Sequence, residues 1–165
     1  MGRLSWDAYF MSQAYLAADR SKDPSTHVGA VIVNNRNHVV ATGYNGFPAG
    51  LDDDELLKQG REVKLALTVH AEANAICSAA SSNVSILGCK MYVFFTPCIR
   101  CAVLVAQAGI KEVIVDRKWQ EIIPEDWQKS TERSIELFQD LGIKFRAWDG
   151  ELAKIKRFCR GEIIE

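Results

Sequence analysis

Two short segments, His70-Ala71-Glu72 and Pro97-Cys98-Ile99-Arg100-Cys101, determine how this chain is interpreted. The first carries an imidazole and a carboxylate two residues apart, and the second carries two thiols in a C-x-x-C spacing. Zinc binds imidazole and thiolate readily, and a site with three protein ligands keeps its fourth tetrahedral position for water, as catalytic zinc sites do. The two segments therefore predict a catalytic zinc site whose ligands are His70, Cys98 and Cys101.

Glu72 is the candidate general acid and base of this site. Zinc would lower the pKa of a bound water towards ~7, and Glu72 would take its proton and later return protons to a ring nitrogen and a departing amine. The combination of H-x-E with P-C-x-x-C is typical of zinc deaminases that act on nucleobases. The sequence therefore predicts hydrolytic deamination.

Simpler explanations exist for each of these residues. His70 could be a hydrogen-bonded core histidine, and Cys98 with Cys101 could form a redox pair or half of a structural zinc ribbon. Glu72 could merely favour a helix N-terminus, an effect of ~0.3–1 kcal/mol. The chain has no second C-x-x-C, and its other histidines are His27 and His38, so the three-ligand catalytic site is the preferred interpretation.

The composition indicates the class of protein. A chain of 165 residues that is 48% hydrophobic can bury one compact core, so we expect a single domain over residues 1–165. Its formal net charge of −1 provides no field to attract long nucleic acid. No basic leader and no apolar run of roughly 18 residues is present, which predicts a cytoplasmic protein without membrane contact.

The cysteines indicate a reducing compartment. Five cysteines are an odd number, and two of them lie in the C-x-x-C, a pattern that favours metal-bound thiolates over a disulfide framework. Cys77, Cys89 and Cys159 are expected to be buried small side chains or spare thiols.

Hydrophobic periodicity predicts alternating helices and strands. Helices are expected over residues 6–20, 71–80, 98–108, 130–141 and 151–160. Strands are expected over residues 28–33, 39–44, 91–95, 112–115 and 143–147. Residues 46–63 are expected to form a solvated loop with a short helix, and residues 119–127 a connection. This order predicts a layered α/β domain in which His70 and the two cysteines come from the N-terminal turns of neighbouring helices.

Five motifs carry a resemblance to a known family: Ser21–Ala30, Gly43–Gly50, His70–Ile76, Pro97–Cys101 and Gln107–Val113. On these the chain resembles the deoxycytidylate (dCMP) deaminases of the cytidine deaminase-like superfamily. The zinc motifs are similar across cytidine, guanine and tRNA adenosine deaminases. The S-K-D-P-x-T and G-Y-N-G-x-P-x-G strings resemble the deoxycytidylate enzymes in particular.

The resemblance implies a fold and an activity. The implied fold is a three-layer α-β-α arrangement around a five-stranded mixed sheet. The implied reaction converts dCMP to dUMP and ammonia, which supplies thymidylate synthesis. It also implies a homo-oligomer, commonly a hexamer, activated by dCTP with Mg²⁺ and inhibited by dTTP. Some relatives bind a second zinc, but residues 51–69 contain neither Cys nor His, so one Zn²⁺ per chain is expected.

Substrate and effector residues follow from the same resemblance. The candidate substrate-binding residues are Arg20, Ser21, Lys22, Thr26, Asn45 and Ala71. Residues 20–22 could bind a phosphate through guanidinium, hydroxyl and ammonium groups, or simply form a solvated helix end. Asn45 suits a sugar hydroxyl, although asparagine before glycine also favours a turn. The candidate effector-binding residues are Gly43, Tyr44, Asn45 and Gly46, whose loop could let backbone amides approach a triphosphate.

One departure from the family leaves the residue that covers the pyrimidine open. Relatives often carry a tyrosine after the K-E-V strand, whereas this chain has Asp116-Arg-Lys-Trp119. Trp119 could stack on the base or pack in the core or a subunit contact. Three other functions stay open: the same chemistry on dCTP or a cytidine nucleoside, editing of tRNA or single-stranded DNA, and a zinc-stabilised binding module without catalysis.

Overall fold

A five-stranded mixed sheet forms the centre of the molecule, with strand order β2-β1-β3-β4-β5. The strands are β1 (Gly29–Val33), β2 (Val39–Tyr44), β3 (Lys90–Val93), β4 (Glu112–Asp116) and β5 (Lys144–Trp148). β1 runs antiparallel to β2 and β3, whereas β3, β4 and β5 are parallel to one another. The structure is a computed structural model that describes residues 3–123, 125–154, 157–159 and 162–164.

Helices connect and cover the strands. They are α1 (Trp6–Ala18), α2 (Asp53–Lys58), α3 (Arg61–Leu67), α4 (Ala71–Ser81), α5 (Ile99–Gln107), α6 (Arg117–Gln120) and α7 (Glu125–Asp140). A separate antiparallel pair consists of β6 (Arg157–Cys159) and β7 (Glu162–Ile164). Within the described residues, no helix combines the length and the apolar character needed to cross a bilayer.

The sheet has a hydrophobic core on each face. Side chains of successive strand residues point to opposite faces, so Ala30 and Ile32 of β1 join one buried cluster and Val31 and Val33 join the other. The first cluster includes residues from α4, α5 and α7, and the second includes the buried face of α1. These layers confirm the expected three-layer α-β-α fold with a five-stranded mixed sheet.

Helix ends differ from the expected bounds by a few residues in most cases. Ser5 is the N-cap of α1, and its Oγ accepts a hydrogen bond from the Ala8 N–H at 3.1 Å. Such a cap satisfies one of the free donors at a helix N-terminus. The larger difference is α7, which begins at Glu125 and therefore takes in part of the segment expected to be a connection.

Two segments differ from the expectation. Residues 46–63 contain the expected short helix, α2, which starts in the acidic run because the side chain of Asp52 accepts hydrogen bonds from the Asp54 and Glu55 N–H groups. They also contain the beginning of a second helix, α3, which was not expected. The helix expected over residues 151–160 is absent. Residues 151–154 have no regular structure, residues 157–159 form β6, and residues 155, 156 and 160 lie outside the described part. Phe158 and Ile163 are residue types that favour strands.

Candidate active site

The predicted metal ligands meet where two helices begin. His70 is the N-cap of α4 and Cys98 is the N-cap of α5, both with extended backbone. Cys101 is buried in the first turn of α5. Because α4 and α5 pack side by side on the same face of the sheet, their N-terminal ends bring the three side chains together, as the sequence predicted.

The distances among these ligand atoms suit a single ion. His70 Nδ1 lies 3.6 Å from Cys98 Sγ and 3.5 Å from Cys101 Sγ, and all three ligand atoms lie within 4.8 Å of one another. Tetrahedral zinc with Zn–S near 2.3 Å and Zn–N near 2.0–2.1 Å separates nitrogen from sulfur by about 3.6 Å. The donor set and its spacing therefore fit Zn²⁺.

The two thiols are electronically unequal. A hydrogen bond with Cys101 lowers the pKa of Cys98, and the His70 ring lowers it further. The same hydrogen bond and the burial of the side chain raise the pKa of Cys101. The site thus favours one thiolate in advance, and a cation would displace the second proton on binding.

Glu72 is buried, with 5% of its surface exposed, in the first turn of α4. Burial raises the pKa of Glu72, while its own backbone N–H, the His70 ring and the Cys101 thiol partly oppose that shift. These contributions put the carboxylate next to the ligand cluster. A buried carboxyl beside a metal-ligand set, with its pKa raised by burial, suits a group that accepts and returns a proton.

A cavity of about 460 Å³ opens onto this cluster. His70, Glu72 and Cys98 form part of its wall, together with residues of the loop before β1, of α3 and of α7. Phe95 and Trp127 form an aromatic part of the wall, with ring centroids 5.8 Å apart and planes at 66°. The volume lies within the range of small-molecule sites, so a nucleotide-sized compound is a suitable occupant. We refer to this space as the catalytic cavity.

Three of the candidate substrate-binding residues, Thr26, Asn45 and Ala71, line the catalytic cavity. The carboxamide of Asn45 is buried, accepts a hydrogen bond from the Val28 N–H and donates one to the Thr26 carbonyl, each at 2.8 Å. Asn45 therefore holds the loop at the cavity wall and does more than form the turn that its sequence context suggests.

The three candidate phosphate-binding residues lie elsewhere. Ser21 is buried, and its hydroxyl donates a hydrogen bond to the Asn45 carbonyl at 2.8 Å. Lys22 pairs with Asp53 at 3.2 Å. Arg20 and Lys22 line a second cavity of about 380 Å³ and are not among the residues that line the catalytic cavity. The structure therefore does not bring residues 20–22 to the reaction centre.

The candidate effector residues divide among three places. Tyr44 and Gly46 line the second cavity, whereas Asn45 belongs to the catalytic cavity. Gly43 lies in β2 against α4, and a Cβ atom there would lie 2.3 Å from both the Ala71 carbonyl oxygen and the Ala75 nitrogen. Gly43 thus permits the close packing of α4 on the sheet and is not part of an open loop.

Trp119 is a packing residue in this structure. Its indole Nε1 donates a hydrogen bond to the Tyr15 hydroxyl at 2.8 Å, and its ring lies against Phe94 and Phe95. Trp127 is the tryptophan that lines the catalytic cavity. Trp127 was not among the predicted site residues, because its segment was expected to be a connection.

Two basic residues of the cavity wall, Arg61 and Lys64, were also missed. Both lie on α3, a helix that was not expected from the sequence. The signal that could have revealed them is the pair Val63 and Leu67, whose i, i+4 spacing before the His70 motif is that of one helix face.

Known proteins are similar to this chain in sequence and in fold. Residues 4–116 match the family described as cytidine and deoxycytidylate deaminase zinc-binding region. Deoxycytidylate deaminase of Pongo abelii is 43% identical over 158 residues, which cover 92% of this chain and 84% of that protein. The Homo sapiens deoxycytidylate deaminase is 42% identical with the same coverage.

The crystal structure of dCMP deaminase from the cyanophage S-TIM5, in complex with dCMP and dUMP, has a similar fold. Its TM-score is 0.70 at 27% identity, and the match covers 90% of this chain and all of that one (100%). The family match spans both zinc-ligand segments, and the resemblance expected from the motifs is confirmed. The chain belongs to the cytidine and deoxycytidylate deaminase family.

Proposed function

We propose that this chain catalyses the hydrolytic deamination of dCMP to dUMP and ammonia with one zinc ion. The observation that carries the proposal is the cluster of His70, Cys98 and Cys101 with the buried carboxyl of Glu72 at the same cavity. The similarity to proteins named deoxycytidylate deaminase over most of the chain supports the choice of substrate.

The proposed metal ligands are His70 Nδ1, Cys98 Sγ and Cys101 Sγ. Their spacing leaves room for three protein bonds to one ion, and no other group of at least three His, Cys, Asp or Glu residues with such spacing occurs among the described residues. When bound, zinc supplies Lewis acidity that favours the deprotonation of water in the cavity.

Glu72 moves protons in the proposed reaction. Its carboxylate takes a proton from the attacking water and delivers it to N3 of the pyrimidine as the bond from oxygen to C4 forms. Glu72 then takes the second proton of the same water from the new C4 hydroxyl and delivers it to the exocyclic nitrogen as the C4–N4 bond breaks, because ammonia is a far better leaving group than its anion. One water is consumed and one ammonia released for each dCMP.

The remaining wall of the catalytic cavity would position the substrate. The indole of Trp127 and the ring of Phe95 offer flat apolar surface for the pyrimidine, as bases stack on aromatic side chains in other proteins. Asn45 has a second amide hydrogen beyond the one it donates to Thr26, which suits a sugar hydroxyl. Ala71 adds apolar surface at the start of α4.

The test is ammonia release by the wild type and by Glu72→Gln, with zinc content measured in both. The wild type should release ammonia from dCMP faster than from dCTP or deoxycytidine. Glu72→Gln should keep its zinc and lose about 100- to 10,000-fold in turnover. Glu62→Gln, the same change on an exposed residue of α3, is the matched control and should behave as the wild type. Robust turnover by Glu72→Gln would refute the role of Glu72, and faster deamination of dCTP or deoxycytidine would refute the substrate.

We also propose effector regulation at the second cavity, with dCTP and Mg²⁺ as activator and dTTP as inhibitor. Arg20 supplies positive charge there and Lys22 lies beside it in an ion pair with Asp53. Asp23 and Lys64 belong to the walls of both cavities. A ligand in one cavity can therefore affect groups that face the other. Saturation with dCMP should be sigmoidal and become hyperbolic when dCTP is added; unchanged curves with both effectors would contradict regulation.

The assembly proposed is a homo-oligomer, with a hexamer favoured, built from one deaminase domain over residues 1–165. Exposed apolar side chains near and on α1 support association, among them Leu4, Trp6, Tyr9 and Leu16. Their burial between chains would remove apolar surface from water. Sedimentation should give a mass several times that of one chain. A cytoplasmic location and a role in supplying dUMP for thymidylate synthesis complete the proposal.

A further inference from the structure

The catalytic cavity has two basic side chains in the described part of its wall, and both come from α3. They are Arg61 and Lys64, one helical turn apart. The residues first expected to bind phosphate, 20–22, do not line this cavity. A phosphate on a substrate held at Glu72 must therefore find its positive partner among the groups that α3 supplies.

Lys64 is already engaged. Its Nζ lies 2.7 Å from Asp23 Oδ1 and 3.1 Å from Ser25 Oγ, and its side chain is only 15% exposed. The same Asp23 oxygen accepts hydrogen bonds from the N–H groups of Ser25 and Thr26. Lys64 and Asp23 thus cancel each other's charge and hold the loop before β1 in place.

Arg61 is differently placed. It is exposed, and it makes no ion pair with any residue that the structure describes. Its positive charge is therefore left facing the cavity. The hydroxyl-bearing residues Ser25 and Thr26 lie on the same wall and can add hydrogen bonds to an anion without adding charge, whereas the Thr68 hydroxyl already donates to the Lys64 carbonyl.

Arg61 and Glu72 face the same cavity from different helices. α3 ends at Leu67, three residues before His70, so Arg61 lies at the end of α3 that is farther along the chain from the ligand cluster. With a rise of about 1.5 Å per residue, α3 carries the guanidinium roughly 10 Å along the helix from Thr68. A substrate whose amine is held at Glu72 can therefore extend along the cavity wall towards Arg61.

We propose that Arg61 recognises the 5′-phosphate of the substrate and makes the catalytic cavity select a nucleoside monophosphate over the nucleoside. The proposal rests on the proposed deaminase function and adds a specificity-determining residue to it. A guanidinium offers two parallel N–H donors that match the oxygens of a phosphate. Because the phosphate takes no part in bond cleavage, Arg61 contributes to binding in the ground state and transition state alike.

The test uses Arg61→Met, which keeps an unbranched apolar stem and removes the charge. Initial rates with dCMP should show KM raised roughly 10- to 100-fold, the loss expected for a charged hydrogen-bonding partner, with kcat nearly unchanged. Inhibition by dUMP and by deoxyuridine, which differ only in the 5′-phosphate, should respond differently. The inhibition constant of dUMP should rise by the same factor as KM, and that of deoxyuridine should stay the same. Arg61→Lys should restore part of the loss.

Lys58→Met is the matched control, since Lys58 is an exposed cation on α2 that lines neither cavity. It should leave both inhibition constants unchanged. Weakening of dUMP and deoxyuridine binding by equal factors in Arg61→Met would indicate a structural role and overturn the proposal, as would an unchanged preference for dUMP. A wild type that releases no ammonia from dCMP would instead overturn the proposed function, whatever Arg61→Met shows.

Discussion

The amino and carboxyl ends of the parallel strands β3, β4 and β5 both carry charged side chains, but those side chains have different partners. At the amino end, the strand register aligns Lys90 of β3, Glu112 of β4 and Lys144 of β5. Glu112 forms ion pairs with both lysines, at 3.4 and 3.5 Å, and with Arg146 at 2.8 Å. Arg146 also pairs with Asp7 at 2.8 Å. The charges at this end are thus satisfied within the protein.

At the carboxyl end, the chain beyond β3 leads to Cys98 and the catalytic cavity. Glu72 is buried there with its pKa raised by burial, and the three ligand atoms beside it point towards one another. The polar groups of this end face a cavity, where a metal and a substrate can satisfy them. Internal pairing therefore favours stability at one end of the sheet, whereas polar groups that face a cavity favour chemistry at the other.

The largest effect on turnover is expected from removing Cys101, a proposed zinc ligand at the carboxyl end of the parallel strands. Cys101→Ala removes one of the three proposed ligands, so zinc content should fall and turnover should decrease at least about 100-fold. Metal analysis and ammonia release measure both quantities. Cys77→Ala is the matched control, since Cys77 is an exposed free cysteine. Full zinc content in Cys101→Ala would contradict the ligand set.

Gly43 of β2 helps to position His70, because α4 packs directly on Gly43 and His70 is the N-cap of α4. Gly43→Ala places a methyl group 2.3 Å from main-chain atoms of α4. Overpacking of this kind should lower the free energy of unfolding by about 3 kcal/mol and reduce turnover as α4 shifts. Urea denaturation measures the first effect.

The comparison for Gly43 is Gly46→Ala, whose added Cβ would meet only the Tyr44 ring at 3.7 Å. That variant should unfold at nearly the wild-type urea concentration. Equal stability of Gly43→Ala and Gly46→Ala would show that the approach of α4 to β2 is not tight.

Removing ion pairs at the amino end of the parallel strands should lower the free energy of unfolding without changing turnover. Glu112→Ala removes the shared partner of three cations and should lower the free energy of unfolding by about 2 kcal/mol. Glu136→Ala removes an exposed pair with Arg133 and should cost less than about 0.5 kcal/mol. Both variants should keep their kcat for dCMP. A loss of kcat in Glu112→Ala would mean that the two ends are not independent.

The smallest effect is a pH dependence that originates at the amino end. Although burial acts to raise the pKa of Asp7 and of Glu112, Arg146 and neighbouring groups lower both pKa values below their ordinary range. A depressed folded-state pKa gives stability that is present above the unfolded-state value, near 4, and is lost as pH falls through the folded-state value. Urea midpoints should therefore decline below about pH 4, and less steeply in Glu112→Gln. If the urea midpoints of the wild type and Glu112→Gln fell equally steeply with pH, Glu112 would not be a source of the pH dependence.

The meeting of the three ligand side chains could be predicted from the sequence, because each of them is placed by a local helix start. His70 and Cys98 each begin a helix directly, so the helix pattern and the spacing of the motif fixed which side chains meet. Cys101 follows Cys98 by one helical turn. The alternation of buried residues along β1 likewise follows from a period of two.

The residues that the sequence did not place depend on long-range contacts. Ser21 bonds the Asn45 carbonyl 24 residues away, and Lys64 reaches Asp23 across 41 residues. No local pattern shows that the hydroxyl of Ser21 is committed or that α3 forms a cavity wall. At residues 157–159, strand pairing prevailed over the expected helix.

Cobalt substitution can identify the metal ligands of the catalytic cavity, because Co²⁺ takes the place of zinc and reports its own ligands through visible and near-ultraviolet absorption. The wild type should bind one cobalt per chain with the intense visible bands of a tetrahedral site and a thiolate-to-cobalt band, and Cys98→Ser should weaken that band. Cobalt that shows only weak octahedral bands without thiolate absorption, or no binding, would contradict a site built from His70, Cys98 and Cys101.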